Sequence, residues 1–325
     1  MYSYSEVKEI HLEISTRCNA GCPGCPRNMG GVDVVDDYPI HDMTLAEAKT
    51  IFQPEFLQQL KIININGNLG DFITCRDGLE IVRYFLEKNS ALHIVISTNG
   101  SAKPSVWEPL GRLGVTVHFR IEGLEDTHHL YRQYTDYHFI LENARKFIAA
   151  GGHAIWSMIK FDHNLHQIDA CRELSQQMGF EKFELIDQGR SRFSVFNRNR
   201  EFSHDIGDNI EPKNWEDKIM WWEGSRRNNL IDPVTTPKRI DCKVAKSKSL
   251  YVSATGEVSP CCWLGFYPRQ MNHTGNPGLK QILPECNNAN QVGIEQAMTW
   301  FDRIEKTWST DRQIYNCNTV CGVTE

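Results

Sequence analysis

"STRCNAGCPGCPR", residues 15–27, sets three cysteines, Cys18, Cys22 and Cys25, into eight positions with the spacing C-x3-C-x2-C. An odd number of thiols does not close a disulfide framework, and a four-thiolate zinc site would lack a ligand. The stretch follows "EIHLEIS" (9–15), where apolar and polar residues alternate as in a half-buried strand. A thiol-bearing loop punctuated by Gly and Pro, placed directly after the first strand, is the feature around which the remaining chain is read.

Outward from that loop, strands alternate with amphipathic helices to about residue 187. "KIININ" (61–66), "LHIVIST" (92–98), "VTVHFRIE" (115–122), "HAIWSMIKF" (153–161) and "KFELID" (182–187) read as strands. "TLAEAKTIFQPEFLQQL" (44–60) opens with a capping box, Thr44 and Glu47, and reads as a helix bent at Pro54. Residues 77–89, 139–152 and 164–180 read as further helices. Six β-α units in order predict a parallel sheet with helices outside, either an open partial (β/α)6 barrel of TIM type or a doubly wound sheet. In both, ligands sit at the carboxyl ends of the strands, which is where the polar, Gly-rich and Cys-bearing loops collect.

The inner face is expected to be polar. In 115–122, Val115, Val117, Phe119 and Ile121 share one side, while Thr116, His118, Arg120 and Glu122 share the other. His11, Glu13 and Ser15, and then Asn64 and Asn66, continue the polar side. Such a face suits either a solvated open sheet or a cavity for a polar ligand.

The 325 residues suggest one large domain and a smaller one, and the net charge of -6 disfavours nucleic-acid binding. The start has no basic-then-apolar pattern of a signal peptide, and no run is apolar over a bilayer's thickness. A cytoplasmic protein without membrane association is therefore expected, and eleven cysteines in that reducing setting point to metal or redox chemistry.

Three thiolates in a tight loop can each hold one iron of a four-iron cubane, leaving the fourth iron open to another ligand. With this spacing in this position, the chain resembles the radical S-adenosylmethionine (SAM) superfamily. The resemblance implies a [4Fe-4S] cluster on Cys18, Cys22 and Cys25, with SAM chelating the open iron. Reductive cleavage would then give a 5′-deoxyadenosyl radical that abstracts hydrogen from a substrate. "NGNLGDF" (66–72) resembles the segment that binds the SAM amino group, which makes Gly70 and Asp71 cofactor contacts. Asn99 in "STNG" and Arg120 and Glu122 in "FRIEG" resemble other contact positions, and Arg132 in "THHLYRQ" resembles the arginine that holds the SAM carboxylate. One departure is Gly24, where the family usually has an aromatic residue before the third cysteine. Adenine would then lean on the ends of the fifth and sixth strands.

A second thiol group closes the chain. "SLYVSATGEVSPCCW" (249–263) reads as a hairpin turning at Thr255-Gly256, flanked by Cys242 and Cys261, while "YNCNTVCG" supplies Cys317 and Cys321. Four thiols make a complete site for an iron–sulfur cluster or for zinc. The spacing resembles the twitch and SPASM extensions of radical SAM enzymes, implying one auxiliary [4Fe-4S] cluster, with Cys262 and Cys286 left over. The expected division is a core over 1–200, a connector over 201–241 and a small hairpin-plus-helix cluster domain over 242–325.

Cys75 follows Asp71 by four positions and is either a hydrogen-atom donor to a substrate radical or a buried apolar residue. Arg190, Arg192, Arg198 and Arg200 form a basic run that suits a carboxylate- or phosphate-bearing substrate or a solvated linker. The expected activity is that of a radical SAM oxidoreductase or modifying enzyme acting on a peptide or protein side chain. A dehydrogenase or epimerase of a small polar metabolite is the alternative, and a non-enzymatic iron–sulfur electron carrier the alternative of another class. The resemblance implies a one-electron donor such as flavodoxin or ferredoxin.

Overall fold

The computed structural model describes residues 1–33, 39–102, 104–187, 192–208, 210–228, 238–265, 282–310 and 313–323. Its centre is an eight-stranded sheet. Six strands come from the alternating half: β1 (Glu9–Leu12), β2 (Ile62–Ile65), β3 (His93–Thr98), β4 (Thr116–Arg120), β5 (His153–Ile159) and β6 (Lys182–Ile186). Two come from the C-terminal segment, β7 (Ser249–Val252) and β8 (Val258–Ser259), and the order is β8-β7-β1-β2-β3-β4-β5-β6. Every neighbouring pair is parallel except β7–β8. This is the partial TIM-type barrel, with a C-terminal strand added beside β1.

The alternation that predicted the strands also decides which side they bury. Ile10, Leu12, Ile63, Ile94, Ile96, Val117, Phe119, Ala154, Trp156 and Met158 are buried toward the helices. Each large side chain removed from water in this way contributes about 1.5–3 kcal/mol before entropy is counted. The rings of Trp107, Phe119 and Phe147 pack together, with Phe119 5.1 Å from Trp107 and 5.8 Å from Phe147. The opposite side keeps its polar row, as expected.

The helices agree in part. The Thr44 hydroxyl accepts from the Glu47 N–H at 3.2 Å, while the Glu47 carboxylate accepts from the Thr44 N–H at 2.7 Å. The segment then divides into α1 (Leu45–Ile51) and α2 (Pro54–Gln59), because Pro54 has no N–H to continue the first ladder and begins the second. Helices α3 (Gly78–Lys88), α6 (Tyr137–Ala149) and α7 (Ile168–Gln177) fall where periodicity put them. Two short helices, α4 (Pro104–Gly111) and α5 (Glu125–Tyr131), lie where the pattern named no helix. The stretch 201–241, expected as a connector, carries strand Phe202–Ile206, paired antiparallel with Phe193–Phe196, and helix Trp215–Asn228. No helix among the described residues is long and apolar enough to cross a membrane.

Candidate active site

The loop after β1 is fixed by its own backbone and by the loops after β2 and β3. The Asn28 amide donates to the Cys22 carbonyl at 3.0 Å, the Gly21 N–H to the Gln133 carbonyl at 2.9 Å, and the Asp71 N–H to the Arg17 carbonyl at 2.8 Å. Arg27, buried, donates to the Thr16 carbonyl. Gly70 is required by contact: a Cβ there would lie 2.0 Å from the Ser15 carbonyl oxygen. Only a residue without a side chain lets the loop after β2 rest against the end of the first strand.

These loops enclose a cleft of about 270 Å3 whose walls include Cys18, Cys22 and Cys25 together with Gly70, Asp71, Asn99, Arg120 and Arg132. Five of the six expected cofactor contacts therefore meet the three thiols in one place. Glu122, the sixth, lies behind the wall: fully buried, it accepts from Arg132 at 2.6 and 3.1 Å. Arg132 also points a guanidinium N–H at the Cys22 sulfur, 3.3 Å away.

The polar groups differ in how much capacity remains. Both Asp71 oxygens are engaged, by the Thr98 hydroxyl at 2.6 Å, the Asn99 N–H at 2.8 Å and the Ile73 N–H at 3.2 Å. Burial raises the Asp71 pKa, and those donors pull it back. The Asn99 amide donates to Asn19 at 2.9 Å and faces the Cys18 sulfur at 3.7 Å. Among the described residues Arg120, which lines the cleft, makes one hydrogen bond, to the Ser97 hydroxyl at 3.1 Å, and keeps further donors unused. Arg132 thus serves the thiol end, and Arg120 is the guanidinium with donors to spare.

Cys75 is not brought to the cleft. Its side chain is buried in the main core, with the thiol directed to the Met43 carbonyl at 3.5 Å, which is the packing role. Cleft residues that the sequence reading left out are Ser97, Thr98 and Tyr131; Ile159, at the end of β5, lies in the region assigned to adenine. Gly24 is explained by its neighbours: a Cβ there would lie 2.6 Å from the Phe193 ring and 3.1 Å from the Tyr131 hydroxyl. Aromatic rings from distant segments stand where the family's local aromatic residue would be. Position 131, directly before Arg132, was the one signal available.

The thiols fit an iron–sulfur group better than a single ion. Among the described residues, no three His, Cys, Asp or Glu side chains close on one point as a lone metal ion would need. The three thiols instead line a cleft several ångströms across, and no fourth cysteine joins them among its lining residues. Burial pushes the Cys25 thiol up to about 11 and raises Cys18 and Cys22, the last opposed by Arg132. Loading metal must therefore displace protons from this site.

The C-terminal thiols meet as well. Cys242, Cys261, Cys317 and Cys321 line a second cavity of about 260 Å3, and Cys262, left over in the sequence reading, lines it too. The segments bearing Cys242 and Cys321 are drawn together by pairing of Arg239–Ile240 with Gly322–Val323 and by the Asp241 N–H donating to the Cys321 carbonyl at 2.8 Å. The hairpin turns at Gly256, whose φ of +92° suits glycine. Burial pushes the Cys317 thiol up to about 12, with Trp308 opposing. Cys286 is elsewhere, its thiol 3.4 Å from the Gln291 side-chain oxygen. Of the four arginines, Arg190 lies outside the described residues.

Residues 12–170 match the family model described as Radical SAM superfamily. The architecture is shared with Streptococcus suis SuiB bound to precursor peptide SuiA, at TM-score 0.58 and 12% identity over 94% of this chain and 66% of that one. It is also shared with SuiB bound to S-adenosylmethionine, at TM-score 0.53 and 12% identity over 78% of this chain and 60% of that one. A third similar structure is anSMEcpe with bound AdoMet, at TM-score 0.50 and 15% identity over 78% of this chain and 71% of that one. The chain thus spans less than two thirds of the length of these two SuiB structures. No curated protein sequence matches it significantly. Residues 12–170 thus carry a radical SAM domain, of a superfamily whose enzymes use SAM and a [4Fe-4S] cluster.

Proposed function

We propose that the chain is a radical SAM enzyme that activates SAM in the cleft of Cys18, Cys22 and Cys25 and takes hydrogen from a peptide or protein side chain. The observation that carries the reading is that these three thiols open into the same cleft as Gly70, Asn99, Arg120 and Arg132. A [4Fe-4S] cluster held by Cys18, Cys22 and Cys25 would supply the single electron that cleaves the SAM sulfonium to methionine and a 5′-deoxyadenosyl radical.

The chain's own residues bind and orient. Arg132, held by buried Glu122, places positive charge beside the Cys22 sulfur and lowers the cost of keeping thiolate there. Arg120, with open donors, suits the SAM carboxylate. Asp71 fixes Thr98 and Asn99, so that the loop after β3 stays against the Cys18 loop. Tyr131 and Ile159 offer an apolar wall for adenine. The peptide substrate is supported by the SuiB structure with its bound precursor peptide. A small polar metabolite fits the same polar inner face.

In this reading the C-terminal cavity holds an auxiliary [4Fe-4S] cluster on Cys242, Cys261, Cys317 and Cys321 that assists oxidation or cross-linking. The test is anaerobic reconstitution with iron and sulfide, followed by dithionite and SAM. Formation of 5′-deoxyadenosine is expected. Protein that loads zinc alone, or a cluster whose spectrum ignores added SAM, overturns the reading.

A further inference from the structure

Among the described residues, the buried indole N–H groups of Trp215, Trp300 and Trp308 have no hydrogen-bond partner. A buried donor left unmatched bears the full cost of its lost hydration. Trp300 lies wholly buried in the main core and lines neither thiol cavity. Trp308 differs, because its ring forms part of the wall of the C-terminal cavity beside Cys242, Cys261, Cys317 and Cys321. The N–H of Trp308 is directed toward the Cys317 sulfur, yet it closes no hydrogen bond there. It is a donor aimed at sulfur.

The ring is held in that place by a buried glutamine. The Gln313 amide donates to the carbonyls of Trp308 and Lys238, at 2.6 Å each. Its oxygen accepts from the Lys238 N–H at 3.0 Å and from the Asn318 amide at 2.7 Å. Lys238 leads into the segment that carries Cys242, and Asn318 sits on the helix Tyr315–Cys321 with Cys317 and Cys321. One side chain thus fixes the tryptophan against both thiol-bearing segments. A neutral thiol is a weak acceptor, whereas a metal-bound thiolate carries charge and accepts strongly. The N–H is therefore matched to a loaded cavity.

We infer that Trp308 is a positioning residue of the C-terminal site, whose Nε1–H donates to the Cys317 sulfur once the thiols hold their group and so raises the reduction potential there. The inference rests on the proposed auxiliary cluster. A hydrogen bond to sulfur favours the state with more negative charge, which is the reduced one, and such bonds help to set iron–sulfur potentials. Leu250 and Ile304 on the same wall keep the surroundings apolar, where a hydrogen bond is electrostatically stronger than in water. A raised potential suits a group that takes up an electron, the part an assisted oxidation requires of it.

The test is an EPR-monitored redox titration of the full chain reconstituted anaerobically with iron and sulfide, the C-terminal signal being the one lost in Cys317→Ala. Trp308→Phe keeps an apolar ring and removes the N–H. It is expected to lower the midpoint by about 59 mV, a tenfold shift of a one-electron equilibrium. Trp300→Phe removes another unpartnered indole N–H, away from the cavity wall, and is expected to leave the midpoint where it was. An unmoved midpoint in Trp308→Phe, or equal shifts in the two variants, overturns the inference. Should Trp308→Phe fail to hold its group, Trp263→Phe replaces it, leaving Trp308 as the indole on the wall among the described residues. With tryptophan isotopically labelled at the indole nitrogen, pulsed EPR of that reduced chain is expected to show a nitrogen coupling, and its absence overturns the inference. Failure of the cluster reading looks different: the unaltered chain would show no reducible signal that Cys317→Ala removes.

Discussion

The molecule has two thiol-lined cavities of nearly equal size, about 270 and 260 Å3, with opposite surroundings. The cleft at the strand ends pairs three cysteines with charged and amide groups, several carrying unused hydrogen-bond capacity. The C-terminal cavity brings five cysteines together with Leu250, Ile304 and Trp308. A site short of one ligand and rich in polar donors is built to receive a polar molecule. On the reading proposed above, a site with a spare thiol and apolar walls holds its group closed, because polar chemistry exposed there would be left unsatisfied. On that reading the same residue type serves exchange in one place and retention in the other.

The sharpest way to break that contrast is to remove one thiol from each region. Cys22→Ala is expected to lower dithionite-driven 5′-deoxyadenosine formation by more than about a thousandfold, since the cluster's electrostatic and redox contribution is lost outright. Cys317→Ala should roughly halve bound iron, by analogy with losing one of two separate metal sites, while SAM cleavage stays detectable. Iron analysis beside product chromatography reads both. Simultaneous loss of all iron and all cleavage in the Cys317 variant would show one coupled centre.

Next in size is the charge pair behind the cleft. Arg132→Ala leaves Glu122 buried without its partner and is expected to destabilise the fold by about 3–5 kcal/mol, read as a fall in thermal midpoint. Arg120→Ala removes a guanidinium bound, among the described residues, only to Ser97, so stability should move by less than about 1 kcal/mol while SAM affinity falls. Equal losses of stability in the two variants would erase the distinction between structural and ligand-facing arginine. Smaller again is the Gly24 contact with Phe193. Gly24→Ala should cost about 1–3 kcal/mol, and Phe193→Ala in the same chain should recover part of it, a sign that only steric conflict gives.

What the sequence disclosed follows from how local each signal is. The six barrel strands were legible because period-two burial is written within each segment, and the cysteine loop because its spacing is. The short helices α4 and α5 were not: α4 carries Pro109 inside and α5 the polar run from Glu125 to His129, so neither shows an apolar stripe over enough turns. The hairpin at 249–263 could be read, but its parallel seat beside β1 could not, since Ile10 and Leu250 meet across most of the chain. Glu122 behind Arg132, Phe193 over Gly24 and Cys262 beside Cys261 in the cavity are likewise facts of tertiary meeting. Residue types named the chemistry, whereas partners were set by packing.

Where the two regions touch, the smallest effect tests how tightly they are joined. Tyr251, on the C-terminal strand, donates to Glu13 at 2.7 Å, and Glu13 is almost wholly buried between them. Burial raises the Glu13 pKa above its ordinary 4.5, opposed by the Tyr251 hydroxyl and by Asn68 and Leu69. The folded chain therefore keeps a proton that the unfolded chain gives up. Stability from this group is complete below about pH 4.5 and declines as pH rises toward the raised folded value, becoming flat above it. Glu13→Gln keeps an acceptor for Tyr251 but cannot ionise, so denaturant unfolding from pH 5 upward should lose that decline. Parallel pH profiles for the variant and the natural chain would mean that Glu13 carries no charge penalty, and that the seam between the two cavities is held by packing alone.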